Sequence, residues 1–174
     1  MKKLIFFSLI ILAGMRLAAQ EEFKPLFKIP SIVVTDIDGN KINTAELTNN
    51  GKPFILSFWA TWCKPCVKEL TTIADVYQDW QDETGVKLIA VSIDNSRSVA
   101  QVKPMVNGKN WDYQVLLDVN NELKRAMNVN AVPHTFLVNG KGEVVWQHTS
   151  FSEGAELELI GLVKDLVKSE EAAK

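Results

Sequence analysis

The sequence FWATWCKPC occupies residues 58–66 of this 174-residue chain. The stretch 53–60 that leads into it is an almost continuous apolar run after Gly51, a pattern typical of a buried central strand. Apolar residues then recur at helical spacing over about 64–82, and Pro65 falls in the first turn, where proline is tolerated. The pattern predicts that both cysteines lie where a strand ends and a helix begins.

Cys63 and Cys66 are the two cysteines of the chain. Residues three apart on a helix are neighbours, so their sulfurs can form a disulfide. The sulfur of Cys63 is expected at the helix N-terminus, where unpaired N–H groups and the helix dipole favour the thiolate. A bridge between the two closes a very short loop and removes little entropy from the unfolded chain. Thiol chemistry, with Cys63 attacking and Cys66 resolving the mixed disulfide, therefore explains the pair better than stability does.

A C-x-x-C pair is also half of a metal site, and the remaining soft ligands of the chain are His134 and His148. Their separation from the cysteines and from each other matches no compact Cys/His pattern. We therefore predict redox chemistry, with no metal and no organic cofactor.

Strand-like and helix-like segments alternate over the rest of the chain. A turn signal at 38–40 predicts a small hairpin over 32–42. Further segments are predicted as a strand at 86–93, a helix from caps at Asn95 and Ser96 to about 106, a strand near 113–117, a helix near 120–127, strands at 134–138 and 143–148, and a helix at 153–167. This order predicts an α/β protein with helices on both faces of a central mixed sheet.

The N-terminus has the layout of an export signal: two lysines, an apolar run, and small residues before Gln20. Residues 1–19 are therefore predicted to be a signal peptide. An uncleaved membrane anchor is the alternative, although the apolar run is shorter than the roughly 20 residues of a transmembrane helix. Residues 20–30 are predicted as a loosely ordered leader and 31–174 as one domain. The net charge of −2, without basic runs, gives no indication of nucleic-acid binding.

Residues 58–66 closely resemble the active-site segment of thioredoxin-like proteins, above all the exported TlpA/ResA type. The resemblance continues in AVPHTFLV at 131–138 and GKGEV at 140–144. It implies a thioredoxin fold, to which the hairpin predicted from the turn at 38–40 adds an N-terminal β-hairpin extension. It also implies a thiol–disulfide oxidoreductase whose partners are proteins with disulfides or thiols. The export signal predicts a periplasmic or other extracytoplasmic location. The resemblance further implies a reducing direction, a membrane electron donor such as a transmembrane thiol reductase, and a role in c-type cytochrome biogenesis as one task. Repair of wrong disulfides and supply of electrons to a peroxidase are alternative tasks that would use the same residues.

The resemblance also assigns roles to individual residues. Pro133 matches the cis-proline of the family, which lies against the active-site sulfurs and presents the backbone of the preceding residue, Val132, to a substrate. Glu69 matches an acidic residue beneath the dithiol, and its helical position is consistent with burial. Burial would raise its pKa and suit it to move protons to or from Cys66. Ser57 stands where general thioredoxins carry a buried aspartate, which leaves Glu69 as the acid–base group.

Three residues near the motif have alternative interpretations. Trp62 is interpreted as part of an apolar rim on which substrates dock rather than as core. His134 either stabilises the thiolate when charged or is a partly exposed strand residue. Lys64 either favours the Cys63 thiolate or is a solvated residue at the helix start, and we prefer the second explanation.

Two other classes of function compete with the redox enzyme. A metal-binding chaperone of the same fold would need Cys63, Cys66 and His134 to converge on copper or zinc, although such chaperones usually have a wider cysteine spacing. A binding module would carry the dithiol incidentally. A peroxiredoxin is not expected, because its Pro-x-x-x-Thr-x-x-Cys pattern is absent.

Overall fold

The computed structural model describes residues 23–173, in which helices flank one eight-stranded mixed sheet. The predicted signal peptide, 1–19, lies outside the described residues. The strands are β1 (Phe27–Lys28), β2 (Val33–Asp36), β3 (Lys41–Asn43), β4 (Phe54–Trp59), β5 (Lys87–Ser92), β6 (Gln114–Leu117), β7 (His134–Val138) and β8 (Glu143–Thr149). The helices are α1 (Lys64–Thr84), α2 (Val102–Gly108), α3 (Glu122–Ala126) and α4 (Ala155–Ala172). The predicted α/β class is confirmed.

The sheet has the strand order β1-β8-β7-β4-β5-β6-β2-β3. Strands β4, β5 and β6 run parallel, and the other neighbouring pairs are antiparallel. All six residues of β4 are buried, as its apolar run predicts. Because β4 lies between β5 and β7, the segment that follows it emerges from the middle of the sheet.

Helix α1 packs against β4 and α4. Its buried face carries the apolar residues that recur at helical spacing, Leu70, Ile73, Tyr77 and Trp80. The helix ends at Gly85, which adopts a left-handed conformation at φ +68° and donates its N–H to Gln81 O. A residue with a Cβ is disfavoured in that conformation, so glycine terminates the helix at little cost.

Two tyrosine hydroxyls form hydrogen bonds between α1 and the region of β5 and β6. The Tyr77 hydroxyl accepts the N–H of Leu88 in β5 at 2.9 Å. The Tyr113 hydroxyl, from the residue before β6, donates to the carbonyl of Leu70 in α1 at 3.0 Å. The two rings also meet edge to face with centroids 5.7 Å apart. Helix α1 is thus held by directional bonds as well as by apolar packing.

The predicted hairpin over 32–42 is present as β2 and β3. The Asp36 carboxylate accepts the N–H groups of Asp38 and Asn40, each at 2.9 Å, and so closes the turn. Strand β2 also pairs antiparallel with β6, so the hairpin extends the sheet at one edge.

The end of the predicted leader differs from expectation. Residues Phe27 and Lys28 form β1, which pairs antiparallel with Val144 and Glu143 of β8. The Phe27 ring also meets the Phe136 ring edge to face at 6.1 Å. The interpretation of this part of the leader as loosely ordered is wrong, because two residues are too few to show an alternating pattern in the sequence.

The helix predicted from Asn95 starts later than expected. A single 3₁₀ turn spans Val99–Gln101, and α2 begins at Val102. The physical reason is Pro104, which has no N–H to donate and is accommodated only in the first turn of a helix. Asn95 caps a local turn instead, since its side-chain oxygen accepts the N–H of Arg97 at 2.9 Å. Over residues 23–173, none of the helices is both long enough and apolar enough to span a bilayer.

Candidate active site

The segment between β4 and α1 is held in place from the neighbouring strand. Thr61 donates its N–H and its hydroxyl to the two oxygens of the Asp94 carboxylate, at 2.8 and 2.6 Å. Asp94 is fully buried just beyond the end of β5. Cys63 then turns the chain into the helix and donates its N–H to Ala60 O at 3.0 Å. The cysteine motif therefore starts from a fixed position at the end of the central strands.

Cys63 and Cys66 are joined by a disulfide, with their Cα atoms 5.3 Å apart. Cys63 is the N-cap of α1, and its sulfur accepts the N–H of Cys66 at 3.3 Å. Cys63 is 6% exposed, whereas Cys66 is completely buried. An N–H directed at the outer sulfur, at the positive end of a helix, stabilises the negative charge that this sulfur carries once the disulfide is opened.

The Val132–Pro133 peptide bond is cis, as the family resemblance implies. It places the carbonyl oxygen of Val132 3.7 Å from the sulfur of Cys63. Trp62, next to that cysteine, is 64% exposed. The structure thus brings the backbone of Val132 to the outer sulfur, and the residue before Cys63 is an exposed tryptophan that a second chain could contact.

Glu69 lies on the buried face of α1, one turn after Cys66, and is 7% exposed. Its Oε1 accepts the hydroxyl of Thr135 at 2.9 Å, whereas its Oε2 is buried without a hydrogen-bond partner among the described residues. Burial raises the pKa of Glu69 from 4.5 to about 7, and the bond from Thr135 opposes this rise. The carboxyl group is therefore suited to gain and lose a proton near neutral pH.

Thr135 was not identified from the sequence. It is paired with Ser57 across β7 and β4, and their hydroxyl oxygens lie 3.1 Å apart. Because Thr135 has a single hydroxyl proton, it donates to the ionised Glu69 and accepts from Ser57. The alternation of β7 after Pro133 could have placed Thr135 on the helix-facing side, but nothing local indicates its partner.

His134 lies on the opposite face of β7 from Thr135, since neighbouring strand residues alternate. Its ring stacks on Phe136 with centroids 4.4 Å apart, and Nε2 lies 3.1 Å from Gln147 Oε1. Burial lowers the pKa of His134, with a further contribution from His148. Of the two interpretations, the structure supports a strand residue, and a buried one rather than a partly exposed one.

Within residues 23–173, the structure contains no cluster of three or more His, Cys, Asp and Glu side chains placed to hold a metal ion.

Comparison with known proteins gives consistent matches. Residues 25–147 match the model of the AhpC/TSA family. The thiol-disulfide oxidoreductase ResA of Bacillus thuringiensis is 37% identical over 118 residues, which are 68% of this chain but 65% of that protein, just under two thirds of its length. ResA of Bacillus subtilis is 32% identical over 128 residues, covering 74% of this chain and 69% of that protein.

The solved structures that are similar to this one include two from named bacteria. A thioredoxin-like protein of Porphyromonas gingivalis is 52% identical, with a TM-score of 0.73 over 80% of this chain and 92% of that chain. StoA of Bacillus subtilis is 26% identical, with a TM-score of 0.61 over 76% of this chain and 97% of that chain. The predicted thioredoxin fold is confirmed, and the chain belongs to the AhpC/TSA family of thioredoxin-like proteins.

Proposed function

We propose that this chain is a protein thiol–disulfide oxidoreductase that exchanges its Cys63/Cys66 pair with disulfides of other proteins. The observation that carries the proposal is the position of the Cys63 sulfur. It lies at the N-terminus of α1, accepts the Cys66 N–H and adjoins the carbonyl of Val132, and the residue that precedes Cys63 is the exposed Trp62. The names of the ResA relatives support the same class of reaction.

The reaction follows from the different exposure of the two sulfurs. In the reduced protein, the Cys63 thiolate attacks a substrate disulfide, forms a mixed disulfide and releases one substrate thiol. The buried Cys66 then attacks the Cys63 sulfur, which releases the second substrate thiol and restores the Cys63–Cys66 disulfide. Two electrons pass from the pair to the substrate, and Val132 and Pro133 shape the groove in which the substrate chain lies.

Glu69 supplies proton transfer in this scheme. Cys66 must lose its proton before it attacks, and a carboxylate with a pKa of about 7 one turn away can accept it. Glu69 and Thr135 also line a cavity of about 20 Å³, whose rim includes the exposed His148. That volume accommodates about one water molecule, through which the proton can reach solvent.

The cellular setting completes the proposal. The chain acts outside the cytoplasm as a reductant and is recharged by a membrane electron donor such as a transmembrane thiol reductase. One suitable task is the reduction of cysteines during c-type cytochrome biogenesis. The export-signal pattern of residues 1–19 and the resemblance of FWATWCKPC to the exported TlpA/ResA type support this setting.

Reduction of insulin disulfides by the reduced protein tests the activity, with Cys63→Ser as the control that lacks the attacking sulfur. Wild type is expected to precipitate the insulin B chain, and Cys63→Ser is not. Trapping in cells tests the partner: Cys66→Ser cannot resolve, so its mixed disulfides accumulate on Cys63 and can be identified. Equal insulin reduction by wild type and Cys63→Ser would contradict the proposal.

A further inference from the structure

We propose that a groove beside α1 binds an acidic segment of the protein that exchanges with Cys63. The groove measures about 510 Å³ and is lined by Lys64 and Lys68 of α1 and by Lys109 at the end of α2, over the apolar side chains of Val67 and Met105. We call it the lysine groove. This inference rests on the proposed function and names the chemistry of its partner.

The charge of the lysine groove is one-sided. Lys64, Lys68 and Lys109 are exposed, and none of the described residues that line the groove is acidic. The Asp94 carboxylate, which accepts two hydrogen bonds from the groove residue Thr61, is fully buried and does not line the groove. A local excess of positive charge in a chain of net charge −2 attracts an acidic partner to this place rather than to the surface at large.

One of these lysines has a partner of its own. Lys68 forms an ion pair with Glu153, which precedes α4 on the other side of α1. Both side chains are exposed, at 55% and 80%, and exposed ion pairs contribute little to stability. The Lys68 ammonium can therefore turn toward a carboxylate in the groove at small cost.

Two of the three threonine hydroxyls of the groove, those of Thr61 and Thr71, are already used within the protein. The Thr61 hydroxyl donates to Asp94, and the Thr71 hydroxyl donates to Val67 O at 2.7 Å. The groove therefore offers a visiting chain ammonium groups and the Thr72 hydroxyl above a partly buried apolar floor formed by Val67 and Met105. That combination suits a peptide with carboxylates and apolar side chains.

The length of the lysine groove fits a short segment of the partner protein next to the partner cysteine that exchanges with Cys63. Along α1, the groove is lined from Lys64, the residue after Cys63, to Thr72. At about 1.5 Å per residue, those eight steps measure about 12 Å, which an extended chain covers with about four residues. The acidic residues of the partner are thus expected within about four positions of its cysteine.

Single-turnover exchange with matched peptides tests this inference. Each peptide carries one cysteine as a 2-pyridyl disulfide, an uncharged leaving group, and differs in the four neighbouring residues: aspartates, glutamines or lysines. We expect the aspartate peptide to react about tenfold faster than the lysine peptide at low ionic strength. The difference is expected to shrink strongly at about 0.5 M salt, because screening weakens attraction between exposed charges.

Charge reversal locates the effect. In K68E/K109E we expect the lysine peptide to react faster than the aspartate peptide. In K68Q/K109Q we expect the rates of the peptides to become similar. The control K41E/K141E makes the same change in net charge at two exposed lysines outside the groove, and we expect it to keep the wild-type order. Lys64 is left unchanged because it adjoins Cys63. Exchange with 2-hydroxyethyl disulfide, a small uncharged substrate, serves as the control for the reactivity of the dithiol in every variant.

The outcomes separate the two proposals. Equal rates for the aspartate and lysine peptides, or an equal change in K68E/K109E and K41E/K141E, would overturn the lysine groove while leaving the oxidoreductase intact. No exchange with any peptide or with 2-hydroxyethyl disulfide would overturn the proposed function itself.

Discussion

The two faces of β7 bury two titratable groups in different surroundings. On one face, Thr135 donates a hydrogen bond to Glu69; on the other, His134 stacks on Phe136 and lies next to Gln147. Burial favours the uncharged form of both groups, so the pKa of Glu69 is raised to about 7 and that of His134 is lowered. The same physical cause acts in opposite directions because one group is an acid and the other a base.

The consequences for function differ. A pKa of about 7 lets Glu69 change its protonation state under ordinary conditions, and Glu69 shares α1 with Cys66. A lowered pKa keeps His134 neutral at pH 7, so its ring acts as a packing element of the aromatic layer. Burial thus produces an acid–base candidate on one face and a structural residue on the other.

The largest expected effect comes from removing the acid–base group. Glu69→Gln keeps the shape of the side chain but cannot accept a proton, so we expect the rate of disulfide exchange at pH 7 to fall by about 100-fold. The pH–rate profile is also expected to lose its inflection near 7. Stopped-flow exchange across pH 5 to 9 measures both, with Asp75→Asn, an exposed carboxylate on the same helix, as the control. An unchanged profile in Glu69→Gln would remove Glu69 from the mechanism.

Glu69→Gln also tests the raised pKa of Glu69 through the pH dependence of the free energy of unfolding. Folding raises the pKa of Glu69 from 4.5 to about 7, so the folded state binds more protons between these values and loses stability as pH rises through them. At pH 8 the ionised, buried carboxylate lowers the free energy of unfolding by up to about 3 kcal/mol. Urea denaturation of the oxidised protein is therefore expected to show Glu69→Gln more stable than wild type at pH 8 and similar at pH 4.5. A constant difference between the two pH values would contradict the raised pKa.

Thr135→Val gives a smaller effect on the same face. The valine removes the hydrogen bond that opposes the rise of the Glu69 pKa, so the inflection of the pH–rate profile is expected to move to higher pH. Leaving Glu69 without this donor is expected to lower the free energy of unfolding by about 1–2 kcal/mol. Thr135→Ser retains the hydroxyl and is the matched control. If Thr135→Val and Thr135→Ser gave the same pH–rate profile, the hydrogen bond from Thr135 would have no role in setting the pKa of Glu69.

The smallest effect is expected on the other face. His134→Phe preserves a ring next to Phe136, and we expect the exchange rate and its pH profile to stay as in wild type. Because folding lowers the pKa of His134, the folded protein loses stability as pH falls below about 6.5. His134→Phe is expected to flatten that acid limb in thermal melts over pH 5 to 7. A large loss of exchange activity would instead place His134 in the mechanism and erase the contrast between the faces.

The sequence predicts those features that arise from local patterns. The apolar run before Cys63, the helical spacing after it and the turn at 38–40 each specify their own element. Pro104, by contrast, is a local signal that the predicted start of α2 does not take into account. It marks the first turn of α2 and would have corrected the early start of that helix.

Features that depend on distant residues were not accessible. The two-residue strand β1 exists because β8 offers it a pairing edge, which nothing in residues 20–30 indicates. Thr135 contacts Glu69 because strand register and helix packing bring together residues 66 positions apart. The position of Glu69 on the buried face was predicted, whereas its hydrogen-bond partner and the size of its pKa rise required the tertiary structure.

The hydrogen bonds of Tyr77 and Tyr113 to and from α1 affect the local unfolding of this helix. Tyr77 ties the helix to β5, and Tyr113 ties the residues before β6 to the helix. Local fluctuations that lift only part of α1 must break these buried bonds together with the apolar packing, so they approach the free energy of global unfolding. The backbone amides in the middle of α1 are therefore expected to exchange with solvent deuterium as slowly as those of the central strands. The dithiol thus lies at the start of a helix whose middle is expected to open slowly.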